Sequence, residues 1–219
     1  MPSLLMSILT TRPIEDLLGW LLSNKRAHDA GLLTRHATIS PTPQSITVTC
    51  AAIGPSGSKM PAEYASSEIG GANKIPSLSW SVPEDVRSKV KEWVLVSEDP
   101  DAPMAEPIVH GIYFGIPAGK TSFTPEDFEV TEGSVEMKLK GGFWYGKNRR
   151  GTVYIAPRPI ARHGVHRYFF EVFGVGEGVD WEGVRREAGQ GVVDKSAVLR
   201  AVEGKVVGWG EWVGTYERK

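Results

Sequence analysis

The chain has 219 residues, 25 Lys and Arg against 26 Asp and Glu, a formal net charge of -1, and a composition 41% hydrophobic and 23% charged. These proportions allow a sizeable core in one folded unit and exclude a disordered chain, and the near-zero balance excludes recognition of nucleic acid or acidic lipid by bulk charge, so any anion site must be local. One cysteine, Cys50, excludes an intrachain disulfide, a two-cysteine metal clip and a CxxC redox motif, which suits a reducing compartment.

The first nine residues are apolar but carry no early basic residue and run into Pro13, Glu15 and Asp16, a poor secretory signal. No apolar run is long enough to span a bilayer, so no stable membrane insertion is expected and the cytoplasm is the expected location. Ile14, Leu17, Leu18, Leu21 and Leu22 recur at helical spacing. They predict an amphipathic helix over 14–28 with Pro13 at its first position and an apolar stripe, edged by Trp20, docked on the body. Residues 1–44 are read as this helical extension and 45–219 as a single β domain.

Past Pro41 and Pro43 the periodicity changes to two. Strands are predicted at 45–49, 77–80, 93–98, 110–114, 153–156, 166–175 and 206–213, separated by clusters drawn from 25 Gly and 15 Pro. The segment GPSGSK lacks the spacing of a phosphate loop. Helices return only near 180–187 and 195–202, with no regular β-α alternation before them. The expected fold is mainly β: an antiparallel sandwich of two sheets with helices at its margins.

Candidate chemistry gathers in two places. The apolar run 93–98 ends in Asp99-Pro100-Asp101-Ala102-Pro103, followed by His110 at the start of the next strand. If the backbone stays extended through Pro100, both carboxylates point to one side. Later, Pro157-Arg158-Pro159-Ile160 leads through His163 to His166-Arg167-Tyr168. On that strand His166, Tyr168, Phe170 and Val172 share one face, and Arg167, Phe169, Glu171 and Phe173 the other. An imidazole and a phenol under a proline-rich rim suit a small oxyanion, with an Asp orienting the ring. Two carboxylates and two imidazoles also suit zinc or iron, but without the tight local spacing of a metal site, so neither a metal nor a cofactor is expected.

Asp99-Pro100-Asp101-Ala102-Pro103, His110 and Gly164-Val165-His166-Arg167-Tyr168 resemble the paired signatures of the phosphatidylethanolamine-binding protein family, in its bacterial and fungal branch. Gly71-Ala72-Asn73, Pro76 to Trp80, Asn148 with Gly151, and Gly208-Trp209-Gly210 through Tyr216 agree in order, so the resemblance spans about 46–218. It implies two antiparallel sheets with terminal helices and a small cavity for phosphate-like anions, with Asp99, Asp101, Pro103, His110, Pro157, Pro159, His166 and Tyr168 at the pocket positions. Arg167 is expected to face away and brace the strand. The branch commonly has Trp after the first pocket His and a further Pro after Pro159. Here they are Gly111 and Ile160, which suggests extra room for a larger or more apolar ligand.

Three functions follow from this resemblance. The first is a module binding a small anion (phosphate, a phosphorylated headgroup or a carboxylate) that modulates a partner such as a protease or kinase. The second is an enzyme of fungal secondary metabolism that cyclises or dimerises an anionic polyketide-derived substrate, with His166 or His110 as base, Asp99 as electrostatic partner and Tyr168 as oxyanion donor. The third is an inhibitor acting through its surface or its N-terminal helix.

Overall fold

The computed structural model describes residues 3–132, 137–188 and 192–219, with side chains from residue 12 onward. Its central sheet has five antiparallel strands: β3 (Glu92–Asp99), β4 (Ile108–Pro117), β5 (Trp144–Tyr145), β6 (His166–Val175) and β7 (Val206–Tyr216). Their spatial order is β5-β4-β3-β6-β7. A second sheet pairs β1 (Thr47–Thr49) with β2 (Ser79–Ser81). Strand residues alternate between faces, and this alternation divides the core into two layers. Trp93, Leu95, Tyr113, Phe170 and Val172 pack toward Val48 and Trp80 of the small sheet. Val94, Val96, Ile112, Phe114 and Phe173 pack the other way, against helices α3 (Trp181–Glu187) and α4 (Lys195–Val202). Both faces of β3 and β6 are thus covered, so these strands read as near-continuous apolar runs.

Aromatic packing seals the layers. Trp80 meets Trp93 edge-on at 5.7 Å, and Phe114 lies 4.6 Å from the Trp181 ring, geometries that add about 1 kcal/mol each beyond area burial. Helices α3 and α4 begin at Asp180 and Asp194, whose carboxylates accept the amides of Gly183 and Ala197. A short helix, α2 (Glu84–Arg87), precedes β3.

Three expectations need correction. Residues 153–156 form no strand; they run beside β4, whose side chains satisfy their carbonyls, as Tyr113 Oη does by donating to Val153 O. The N-terminal helix α1 spans Ser3–Leu22, with Pro13 inside it, so it starts earlier and ends sooner than 14–28. Its apolar stripe is not docked: Ile14, Leu17, Leu18, Trp20 and Leu21 are 47% to 66% exposed. The helix seats instead on Gly19, where any Cβ would collide with the Ala161 carbonyl oxygen. Polar contacts complete that seat, with Asp16 facing Arg162 at 3.5 Å and Glu15 accepting from Arg218. None of the described helices is long and apolar enough to cross a membrane.

Candidate functional site

The site lies where β3, β4 and β6 end together. Strand β3 finishes at Asp99, and Pro100 turns the chain at once. One Asp99 oxygen accepts the Asp101 amide at 2.8 Å, which locks the turn; the other faces His166 Nδ1 at 2.8 Å. Because the backbone turns, Asp101 points elsewhere. It receives the Arg167 fork at 2.8 and 2.9 Å, the Arg167 amide at 2.9 Å and the Ala27 amide at 3.1 Å. Burial works to raise the Asp101 carboxyl, but the Arg167 side chain and amide outweigh it and hold the group below its ordinary value. Arg167 thus faces away from the cavity, on the opposite face of β6, and braces this turn.

A bulge on β4 aims His110. Ser97 pairs with Gly111 and Glu98 with Val109, so His110 is the extra residue between two registers. Its Nδ1–H donates to Ile155 O at 2.5 Å, which fixes the tautomer and leaves Nε2 with a bare lone pair. Among the described residues Nε2 has no hydrogen-bond partner, although it is buried. Burial pulls the His110 imidazole below its ordinary value, against the partial support of the Asp99 charge, so the ring is neutral at physiological pH. Tyr168 stands edge-on to it at 5.1 Å. Burial, reinforced by the Asp99 charge, keeps the Tyr168 phenol protonated.

His166, Tyr168, His110 and Asp99 line one cavity of about 510 Å³ with Pro103 and Pro159. Asp101 and Pro157, expected in the pocket, lie outside its lining. His163, on the loop before β6, is buried; its Nδ1 lies 2.8 Å from His166 Nε2 and its Nε2 lies 2.9 Å from Leu22 O. Both nitrogens of His166 are therefore engaged within the protein, and its expected role as a direct donor to a bound anion is not available in this arrangement. Gly111 opens no extra room either. Tyr113, two residues along the same face, leans its phenol over the space a side chain at 111 would need.

The arginines of the rim are what the sequence reading missed. Arg149, Arg150 and Arg158 border the cavity, with Met104, Ile108 and Ile160 as its apolar wall. Arg150 and Arg158 clasp the two oxygens of Glu68 at 2.6 Å each, while Arg149 has no ion-pair partner among the described residues. Hydrogen bonding by Arg150 and the charge of Arg158 pull the Glu68 carboxyl below its ordinary value. Asn148 holds this loop by donating to His110 O at 3.1 Å and accepting from the amides of Arg150 and Thr152. Three arginines within ten residues of a chain whose total charge is balanced was the available signal. Among the described residues no group of three or more His, Cys, Asp or Glu is placed to hold a metal ion.

The profile described as phosphatidylethanolamine-binding protein matches residues 52–217. The chain belongs to the phosphatidylethanolamine-binding protein family. Relatives include "Phomoidride biosynthesis cluster protein B" from a fungal species, 42% identical over 93% of this chain and 94% of the relative. The protein of the same name from Talaromyces stipitatus is 40% identical over 95% of this chain and 82% of the relative. Among solved structures, Escherichia coli YbcL, a member of the mammalian PEBP family, superposes with a TM-score of 0.61 at 24% identity, covering 80% of this chain and 99% of YbcL. That likeness concerns the fold. The two antiparallel sheets flanked by few helices are those of the family.

Proposed function

We propose that the chain is an acid-base catalyst of a fungal secondary-metabolite pathway, binding an anionic organic acid with an apolar body and moving a proton at one of its atoms. The observation that carries the reading is His110, which lines the cavity and whose buried Nε2 has no hydrogen-bond partner among the described residues. A phosphate oxygen would meet that lone pair unfavourably unless a proton were added. An acidic C–H or O–H of a substrate meets a ready acceptor. In the step proposed, Nε2 takes the proton, the electron pair left behind moves onto a conjugated oxygen, and the Tyr168 hydroxyl donates to that oxygen. His110 then returns the proton at the same or a conjugated atom.

Other features support the same reading. Arg149 at the rim offers a guanidinium to a carboxylate, and Met104, Ile108 and Ile160 offer an apolar wall. A cavity of about 510 Å³ suits a small organic molecule. The names of the relatives at 40% and 42% identity place them in phomoidride biosynthesis, which supports a secondary metabolite as the substrate class.

The test is proton exchange. The protein and a panel of polyketide-derived carboxylic acids are incubated in D2O, and deuterium at carbon is read by mass spectrometry. Uptake by wild type, lost in His110→Asn, is the expected result; asparagine keeps the donor to Ile155 and deletes Nε2. Saturable binding of the acids without deuterium uptake would reduce the cavity to a binding module and overturn the catalytic reading.

A further inference from the structure

The segment from Glu15 to Asp29 wraps the outside of the cavity. Arg26 donates to Val165 O, His28 N donates to Pro100 O at 2.9 Å, and Asp29 pairs with Arg167 at 3.0 Å. At the end of α1, Leu22 O meets His163 Nε2 at 2.9 Å, His163 Nδ1 meets His166 Nε2 at 2.8 Å, and His166 Nδ1 meets Asp99 at 2.8 Å. This chain of four groups runs from the N-terminal helix to the cavity wall, and both histidines are almost fully buried.

Hydrogen counting fixes what the chain holds. A backbone carbonyl only accepts, so His163 Nε2 carries a hydrogen. One hydrogen lies between the two rings and one between His166 and Asp99. Three hydrogens shared among two imidazoles and a carboxyl make the set electrically neutral as a whole, and the other Asp99 oxygen already accepts the Asp101 amide. Losing a proton breaks one of these bonds and leaves a buried net charge, and gaining one also breaks a bond, so the set resists both.

We propose that α1 is part of the site: its Leu22 carbonyl, acting through His163 as a positioning residue, engages His166 Nε2 while Asp99 holds Nδ1, and together they leave the His110 ring, among the described residues, as the imidazole of the cavity lining with a free acceptor nitrogen. The consequence for catalysis rests on the proton-transfer reading above; the proton arrangement itself does not. The groups facing His166 are Asp99 from β3, His110 from β4, Tyr168 from β6 and His163 from the preceding loop, with Arg26 beside His163. Arg26 and the His166 ring both oppose a second charge on His163, adding to the burial that already lowers it.

The decisive measurement uses the full chain labelled with 15N and observes the histidine rings by NMR. A scalar coupling across the hydrogen bond between His163 Nδ1 and His166 Nε2 is expected, with slowly exchanging ring N–H signals from His163 Nε2 and His166 Nδ1. Absence of that coupling overturns the relay. Gly19→Leu drives a side chain into the Ala161 carbonyl and lifts the helix, so the His163 Nε2–H signal should exchange at least tenfold faster. Gly19→Ala imposes the same displacement more gently if the leucine variant does not fold. An unchanged signal in a folded variant overturns the role of α1. His163→Gln, whose amide can donate to Leu22 O and accept from His166, should keep the His166 signals that His163→Leu loses; equal behaviour of the two overturns the positioning role. Loss of deuterium uptake in His110→Asn tests the catalytic reading separately, because the ring couplings are read without any substrate.

Discussion

Strands β3 and β6 carry buried ionisable groups on both faces, and the two faces use them differently. On the cavity face, Asp99 meets His166 at 2.8 Å, and the neighbouring His110 keeps one nitrogen unpartnered among the described residues. On the helix-covered face, Glu98 accepts the Leu33 amide at 2.8 Å and pairs with Lys195, while Glu171 accepts both the amide and the hydroxyl of Thr34. Burial first, and then the Glu98 charge, push the Glu171 carboxyl well above its ordinary value, so it stays protonated. The protonated Glu171 carboxyl hydrogen-bonds to Glu98 and is fully buried, so its proton has a partner and no access to a cavity. A buried ionisable group points to chemistry when it lines a cavity with a nitrogen left unpaired, and to structure when its proton is shared inside the packing.

The largest effect that would break this contrast is on His110. His110→Asn should lower turnover by roughly 10²- to 10⁴-fold, the range for losing a general base, while the thermal midpoint stays close to wild type because the bond to Ile155 survives. A folded variant with unchanged turnover would remove the distinction between the faces. On the other face, Lys195→Met strands Glu98 beneath Leu33, and a cost of about 3 kcal/mol is expected in denaturant titration. Turnover per folded molecule should be unaltered, since Lys195 does not line the cavity that holds His110.

Much of this was legible in the sequence, for physical reasons that also mark where legibility ends. The alternation on β6 placed His166, Tyr168 and Phe170 on one face and Arg167 and Glu171 on the other, because strand geometry leaves no choice. The motifs around Asp99, His110 and His166 marked the cavity because each sits at a strand end. Asp101 escaped because Pro100 turns the chain, cancelling the two-residue period that would have set both carboxylates together. The seat of α1 was hidden as well: its apolar stripe advertised a docking face, but the residue that docks is Gly19, which has no side chain to advertise. The engagement of His163 was hidden because one of its partners, the Leu22 carbonyl, is a backbone group 141 residues away.

The pH profile sharpens the contrast in opposite directions on the two faces. His110 and His163 sit below the ordinary imidazole value, so the unfolded chain binds protons that the folded one refuses as pH falls below about 6.5. Stability should therefore be fully present above that pH and decline beneath it, and His110→Asn should flatten the decline. A decline equally steep in wild type and variant would assign the acid loss to other groups.

Glu171 supplies the opposite sign. Its folded carboxyl keeps a proton that the unfolded chain releases above about pH 4.3, so wild type forfeits stability as pH rises past that value. Glu171→Gln has the same shape, keeps an oxygen for Thr34 and presents a permanent donor toward Glu98, so it removes that loss. The variant should match wild type below about pH 4 and be the more stable of the two at pH 7. A variant less stable than wild type at pH 7 would mean that Glu171 is held ionised, and that the helix-covered face stores charge as the cavity face does.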